Sequence, residues 1–392
     1  MGVGTVGVGT VTVTAKSIAP PRRGLPFDII LAVAPILVAL VGVVMVYSAT
    51  RGPLLADGED THTYLKKQAL FVFIGVIVMV VVAVFDYRKL EPVATPIYIL
   101  TILALLGVFV IGNTANGAAR WFTIGPLELQ PSEFAVIGLI IAIAAYCHRR
   151  TEEGLAWKDV FKLLILAGIP IILVLKQPDL GTAIIMLIVL LIMLAVAGLP
   201  LRIMILLLVG VGVVALVAVE AGFLHGYQIA RLTSFLNPNS TSSNSYVQSS
   251  IYNLNQSKTA IGSGGLTGSG ILRGAQTNLG YVPEQQTDFI FSAVGEQLGF
   301  IGGAGLLGVL GVIAWRVLHA AGQSRDVFGR LICTGLFSFL AFSVFQNAGM
   351  TMGIMPITGI PLPFVSYGGT AVLCFFVAIG LALSVGARRR RL

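Results

Sequence analysis

"PEQQTDFIFSAVGEQLGFIGGAGLLGVLGVIAWRVL" occupies residues 283–318. It opens on two acids, Glu284 and Asp288, and then runs apolar from Phe289 to Leu318, interrupted by Glu296 and Arg316. About 20 apolar residues suffice to cross the roughly 30 Å of a bilayer's hydrocarbon as a helix. The run is therefore read as a membrane span with carboxylates at its mouth. The question it raises is why so apolar a chain places acids there.

Working outward, the same pattern recurs. The chain is 56% hydrophobic and only 11% charged, with a mean hydropathy of +0.92, far from the composition of a soluble domain. Ten apolar runs are found near 28–49, 66–84, 93–111, 129–147, 160–175, 181–197, 202–222, 289–318, 329–353 and 364–387. Lipid offers bare backbone no hydrogen bonds, so these runs are read as helices, and alternation of the strand type is absent. The expected fold is an all-α integral membrane protein of about ten transmembrane helices.

Orientation follows from the basic residues. Of 25 Lys and Arg, 17 fall in the two tails and the even-numbered connections, and 8 in the odd-numbered ones. Both termini are thus predicted to be cytoplasmic. The net charge of +8 is scattered between spans rather than gathered on one face, which argues against nucleic acid as a partner. The tail "RRRRL" (388–392) is suited to anionic lipid headgroups. Residues 1–27, rich in Gly, Val and Thr, are expected to be a poorly ordered cytoplasmic tail ahead of a membrane domain at 28–387. The first run is too long for a signal-peptide core. Cys147, Cys333 and Cys374 show neither a disulfide framework nor a metal spacing.

The longest stretch that is not apolar, 224–288, is predicted to be a large extracellular loop between helices seven and eight, with 237–250 flexible because Ser, Thr and Asn dominate it. Its "GSGGLTGSG" (262–270) is read as a turn; no Lys-Ser/Thr follows where a P-loop needs one. Shorter polar segments fall on the same side. "NGAARWFTIGPLELQPSE" carries Arg120, Trp121 and Glu133, and "KQPDLGT" carries Lys176 and Asp179. "PITGIPLPFVSYGG" (356–369), with Ser366, has prolines and glycines that force non-helical backbone at membrane depth, tolerated only inside protein or beside a cavity. Arg120 with Glu133, and Lys176 with Asp179, read equally well as ion pairs or as the walls of a shared polar cavity.

"QPSEFA", "KQPDLGTA", "AIGSGGLTGSG", "PEQQTDFIFSAVGEQLG" and "GIMPITGIPLPFVSYGGT" resemble, in order and spacing, the motifs of the SEDS family (shape, elongation, division and sporulation), and "GIPLPFVSYGG" is more similar to its RodA branch than to FtsW. The resemblance runs from about residue 27 to 387. It implies a peptidoglycan glycosyltransferase of the bacterial cytoplasmic (inner) membrane. Such an enzyme polymerises lipid II into a glycan strand on the outer face, beside a class B penicillin-binding protein. It also implies that Asp288, the aspartate of "TDFIF", is the catalytic residue. Two positions depart from the family pattern: Val136 stands where a lysine is usual, and Gln286 where histidine often precedes "TDFIF".

The chemistry fits these residues. A carboxylate at Asp288 can take the proton of an attacking sugar hydroxyl, although Asp at that position also suits a helix N-cap. Cations must receive the charge that grows on a leaving diphosphate. Arg120, Lys176, Lys258 and Arg273 are the candidates, with Lys258 slightly preferred for its closeness to the glycine-rich turn. A divalent cation bridging the diphosphate is compatible with this scheme, but no dedicated ligand cage is visible. Glu296, inside the span, reads as structural. A flippase for lipid-linked precursors and a non-catalytic scaffold for the crosslinking enzyme are the competing readings.

Overall fold

The computed structural model describes residues 28–115, 118–124, 127–150, 155–220, 226–237 and 244–388. Ten long helices coincide with the ten apolar runs: α1 (Ile29–Asp57), α2 (Thr63–Val84), α3 (Ala94–Ile111), α4 (Pro131–Arg149), α5 (Trp157–Lys176), α6 (Leu180–Val196), α7 (Leu201–Glu220), α11 (Ile290–Gln323), α12 (Val327–Met352) and α13 (Gly369–Ala387). Six of them, α1, α2, α4, α11, α12 and α13, are long and apolar enough to cross a membrane, and α3, α6 and α7 contain shorter apolar stretches. α4, α12 and α13 are buried along most of their length. Large apolar side chains on the other helices, such as Phe73 at 65% and Phe300 at 68% exposure, have no place in water and mark the surface that meets lipid.

The segment between α7 and α11, read as a large extracellular loop, is itself largely helical, and 238–243 of the stretch expected to be flexible lie outside the described residues. It contains α8 (Gly226–Leu236), α9 (Ser245–Ser263) and α10 (Ala275–Asn278). Residues 245–250, expected to be flexible, are the first turns of α9, capped by the Asn244 side chain, which accepts from the Tyr246 N–H. Polar composition misled here because α9 packs on protein rather than lipid and needs only a narrow apolar stripe: Val247, Leu254 and Ala260. The connection from α3 to α4 also departs from an all-helical reading. It forms a small antiparallel sheet of β1 (Asn113–Ala115), β2 (Ala118–Ile124) and β3 (Leu127–Leu129), in the order β1-β2-β3. These strands are too short to announce themselves by periodicity.

α11 is broken. Gly299 adopts φ 66°, ψ −167°, a left-handed region open to glycine at little cost. The break frees backbone groups inside the bundle, and the glycine-rich turn supplies their partners. Ser269 and Gly270 N–H donate to the Glu296 and Gln297 carbonyls at 2.9 and 3.0 Å, and Phe300 and Ile301 N–H donate to Gly265 and Leu266 at 2.9 and 3.1 Å. A Cβ on Gly299 would stand 2.3 Å from the Gly268 nitrogen, so the two backbones can meet only without one.

Just before α11, residues 284–288 are held by their carbonyls. The Tyr367 N–H donates to Gln286 O at 2.8 Å, Ser366 Oγ to Thr287 O at 2.6 Å, and Asn347 Nδ2 to Asp288 O at 2.9 Å. Asn347 also donates to Ile360 O at 2.8 Å, which joins α12, the 356–369 segment and the approach to α11 at one point. Behind this strip Glu296 accepts from the Gln276 N–H (2.8 Å), the Thr277 N–H (3.0 Å) and Thr277 Oγ1 (2.6 Å). It thus closes the start of α10, the structural role expected of it.

The far end of the bundle is tied by ion pairs. Arg316 Nη2 meets Asp28 Oδ2 at 2.5 Å, Arg150 meets Asp159 at 3.6 Å, and Arg388 meets Asp86 at 3.5 Å. The Tyr87 hydroxyl donates to Asp326 at 2.8 Å. Asp28 and Arg388 are thus each held by a separate ion pair.

Two expectations follow. The native cysteines are all buried, so Ser249→Cys and Gly322→Cys, both at exposed positions, report orientation with little background. An impermeant thiol reagent applied to intact cells should label the first and not the second; the reverse pattern overturns the orientation read from charge. Asn347→Ala leaves two buried carbonyls without their donor and should cost roughly 2–4 kcal/mol. A melting temperature in detergent equal to that of the parent protein would contradict this.

Candidate functional site

Asp288 sits at the entrance of α11, half-buried. It is not the helix cap: that position is Phe289, which makes no side-chain cap hydrogen bond. Its carboxylate points at the 356–369 segment. A Cβ on Gly359 would lie 3.3 Å from Asp288 Oδ2 and 3.7 Å from Arg231 Nη1. Gly359 has φ 78°, so its lack of a side chain serves both the turn and the open space beside the carboxylate. Arg231 comes from α8 and lies 5.6 Å from the centroid of the Tyr227 ring. The Tyr227 hydroxyl donates to Pro178 O, fixing α8 to the turn between α5 and α6.

On the other side of Gly359 is a cavity of about 50 Å³ lined by Gln130, Glu133, Asp179, Thr182 and Ser343 among polar residues, with Val136 and Cys374. Asp179 caps α6 through the Thr182 N–H (3.1 Å) and accepts from Gln130 Nε2 and Ser132 Oγ, each at 3.0 Å. Glu133 is in the first turn of α4, and among the described residues its buried Oε2 has no hydrogen-bond partner. Gln130 and Glu133 also wall a wider groove of about 210 Å³ with Tyr64, Lys67, Trp121 and Tyr367. The Tyr367 ring meets that of Tyr64 edge to face, with centroids 4.9 Å apart.

The structure therefore brings Trp121, Glu133 and Asp179 to two spaces that share Gln130 and Glu133 as walls, with Asp288 beside them at Gly359. It separates others. Lys176 is exposed, and no ion pair joins it to Asp179 among the described residues. Asp179 instead spends its oxygens on Gln130, Ser132 and Thr182. Lys258 lies along Gly353, whose Cβ would be 3.3 Å from its Cδ, and Arg273 is exposed, its stem 3.4 Å from the corresponding point on Gly270. Arg120 belongs to β2, and its side chain is outside the described residues, as are 1–27 and most of "RRRRL". Ser366 does not line the site. It is 1% exposed, and its hydroxyl donates to Thr287 O and accepts from the Leu362 N–H, so it positions the strip that carries Asp288. Among the described residues no three His, Cys, Asp or Glu side chains converge as a metal cage.

Sequence reasoning missed Arg231 and Asn347. Arg231 was one loop charge among eight, and nothing local marks it. Asn347 did carry a signal: "QN" (346–347) is a polar pair inside an apolar run, where an amide without a backbone partner would be costly.

Comparisons agree with this architecture. The family model for FtsW, RodA and SpoVE, described as a cell cycle protein family, matches residues 28–391. The peptidoglycan glycosyltransferase MrdB of Escherichia coli K12 is 36% identical over 338 residues, covering 86% of this chain and 89% of MrdB. Stage V sporulation protein E of Bacillus subtilis 168 is 33% identical, over 93% of this chain and 98% of its own. The crystal structure of RodA from Thermus thermophilus matches with a TM-score of 0.68 at 29% identity, covering 93% of this chain and 98% of RodA. A chain of a peptidoglycan synthase complex, studied for the coordination of polymerization and crosslinking, matches with a TM-score of 0.77 at 29% identity, over 93% and 98% of the two chains. This protein belongs to the FtsW/RodA/SpoVE family and is a multi-pass protein of the bacterial inner membrane.

Proposed function

We propose that this chain is a peptidoglycan glycosyltransferase that polymerises lipid II into glycan strands on the outer face of the membrane, in the service of cell elongation and shape, with Asp288 as general base. The observation that carries the reading is the meeting of the Asp288 carboxylate and the Arg231 guanidinium at Gly359, beside polar spaces at one end of a lipid-facing bundle. A lipid-anchored substrate presents its reactive sugar at that depth.

The roles divide by charge. The attacking sugar hydroxyl loses a proton as its oxygen bonds to the anomeric carbon, and a carboxylate within hydrogen-bond reach accepts it. The bond that breaks leaves electrons on a lipid diphosphate, and a guanidinium fork suits its oxygens. Arg231 takes first place for that task, ahead of Arg120, Lys176, Lys258 and Arg273, because it shares the Gly359 face with Asp288. A divalent ion would enter as a companion of the diphosphate rather than as a resident of the protein. The partner most consistent with this chemistry is a class B penicillin-binding protein that crosslinks the strands made here. It accords with the matching chain of the synthase complex.

Asp288→Asn preserves size and backbone contacts but removes the base. Polymer formation from labelled lipid II by the purified protein should fall at least about a hundredfold, with the melting temperature retained. Near-native polymer yield from the Asn variant would remove Asp288 from the chemistry. Arg231→Met should lower kcat by roughly a hundredfold while changing KM less, because charge on the leaving group grows in the transition state. A rise in KM alone would make Arg231 a binding residue only.

A further inference from the structure

We propose that Asn347 is a positioning residue for the reaction: its single amide, on α12, sets where Asp288 stands relative to the Gly359 turn. The inference rests on the reading of Asp288 as general base and goes beyond it. It makes turnover depend on a side chain sealed inside the bundle, at 0% exposure.

One nitrogen is shared by two backbones. An amide nitrogen carries two hydrogens, and Asn347 Nδ2 donates to Asp288 O at 2.9 Å and to Ile360 O at 2.8 Å. Asp288 bears the carboxylate. Ile360 follows Gly359, the turn that the carboxylate and Arg231 both approach. Two separate donors would satisfy the two carbonyls equally well. A shared nitrogen also fixes their separation, and because both of its hydrogens lie in the amide plane it fixes their relative direction. The amide's other end does nothing comparable: among the described residues Asn347 Oδ1 has no partner. The side chain is used as a pair of donors.

Ser366 bridges the same two stretches, donating to Thr287 O and accepting from the Leu362 N–H, but it belongs to the 356–369 segment itself. It holds segment and strip together without setting where the pair stands in the bundle. Asn347 supplies that reference. It projects from α12, which is buried along most of its length and packs against α4 and α6, the helices at whose starts Glu133 and Asp179 stand. The adjacent Gln346 Nε2 ties Pro356 O to the same helix at 2.8 Å. The base, the Gly359 turn and the acids of the cavity are thus located against one helix. A displacement of about 1 Å at a reacting group costs on the order of a hundredfold in rate, so the loss of this reference should be felt in the chemical step.

The test separates placement from stability. Asn347→Ala and Leu336→Ala both remove a side chain of 0% exposure from α12, but Leu336 lies toward the opposite end of the helix. Each variant is purified in detergent, its folded fraction is taken from the thermal transition, and polymer formation from labelled lipid II is measured per folded molecule. Asn347→Ala should lower kcat at least about tenfold while KM changes less than about twofold. Leu336→Ala should keep parental turnover per folded molecule. In an Asp288→Asn background, Asn347→Ala should cost little more, since no base remains to be placed. Asn347→Ser, with one donor for two carbonyls, stands in if the alanine variant does not fold, and its kcat should fall in the same way. Native turnover per folded molecule in whichever Asn347 variant folds overturns the proposal. So does a loss in Leu336→Ala equal to that in Asn347→Ala, or a full further loss on top of Asp288→Asn. A parent protein that makes no polymer sinks the polymerase reading and this one with it; an active parent with unaffected Asn347 variants sinks the positioning role alone.

Discussion

Everything at the active end depends on one constraint: backbone that leaves a helix inside a membrane must still be hydrogen-bonded. Unpaired amides in hydrocarbon cost several kcal/mol each by transfer measurements. This chain leaves helical geometry in two neighbouring places, at Gly299 within α11 and along 353–368 between α12 and α13. The partners come from fixed sources. The glycine-rich turn pairs with the α11 break. Asn347, Ser366 and the Tyr367 N–H pair with the three carbonyls leading to Ile290. Because each carbonyl has its own donor, one from α12 and two from the 356–369 segment, the strip cannot shift without breaking several bonds at once. The backbone that carries the Asp288 side chain is thereby fixed.

The two ends of the bundle solve opposite problems. At the basic end, Arg316, Arg150 and Arg388 are each paired with an aspartate, and the helices are tied closed there. At the other end polar spaces are left between the helices, walled by Gln130, Glu133 and Asp179, while Lys66 pairs with Asp60 at 3.0 Å and Arg231 reaches toward Asp288 at Gly359. Buried polar groups are normally satisfied; Glu133 Oε2 is one of several buried side-chain atoms left without a partner among the described residues. This asymmetry also weighs against a flippase, which needs a polar route through both ends.

The helical fold was legible because a hydrocarbon solvent imposes it on any sufficiently long apolar run. α1, α11 and α13 could hardly be read otherwise, and "PITGIPLPFVSYGG" announced its irregular backbone by its prolines. The segment from α8 to α10 was not legible. A helix packed on protein needs few apolar residues, and "NSYVQSSIYNLNQSKTAIGS" spreads them thinly among Ser and Asn. Within the site, Trp121, Glu133, Asp179 and Asp288 stood out as polar or charged groups next to spans. Their convergence was a guess that only the packing could decide. Ser366 was named for the wrong role, since sequence shows a hydroxyl but not that both its bonds are spent on backbone. Arg231 was invisible as a site residue because its place is set by α8, the element that composition hid.

Val136 bears on what the open acceptor does. It is 1% exposed and lines the same cavity as Glu133, at the position where the family motif usually carries lysine. A lysine there would offer three N–H donors within the cavity and claim the neighbouring carboxyl. Valine offers none, and the described residues leave Glu133 Oε2 without a donor. A cavity of about 50 Å³ has room for a water molecule, and it opens through Gln130 and Glu133 toward the groove. The unpaired oxygen is open to a donor of water size, such as a hydroxyl. With valine at 136 that acceptor is left to whatever enters the cavity, and a molecule that donates to it would stabilise this corner by binding.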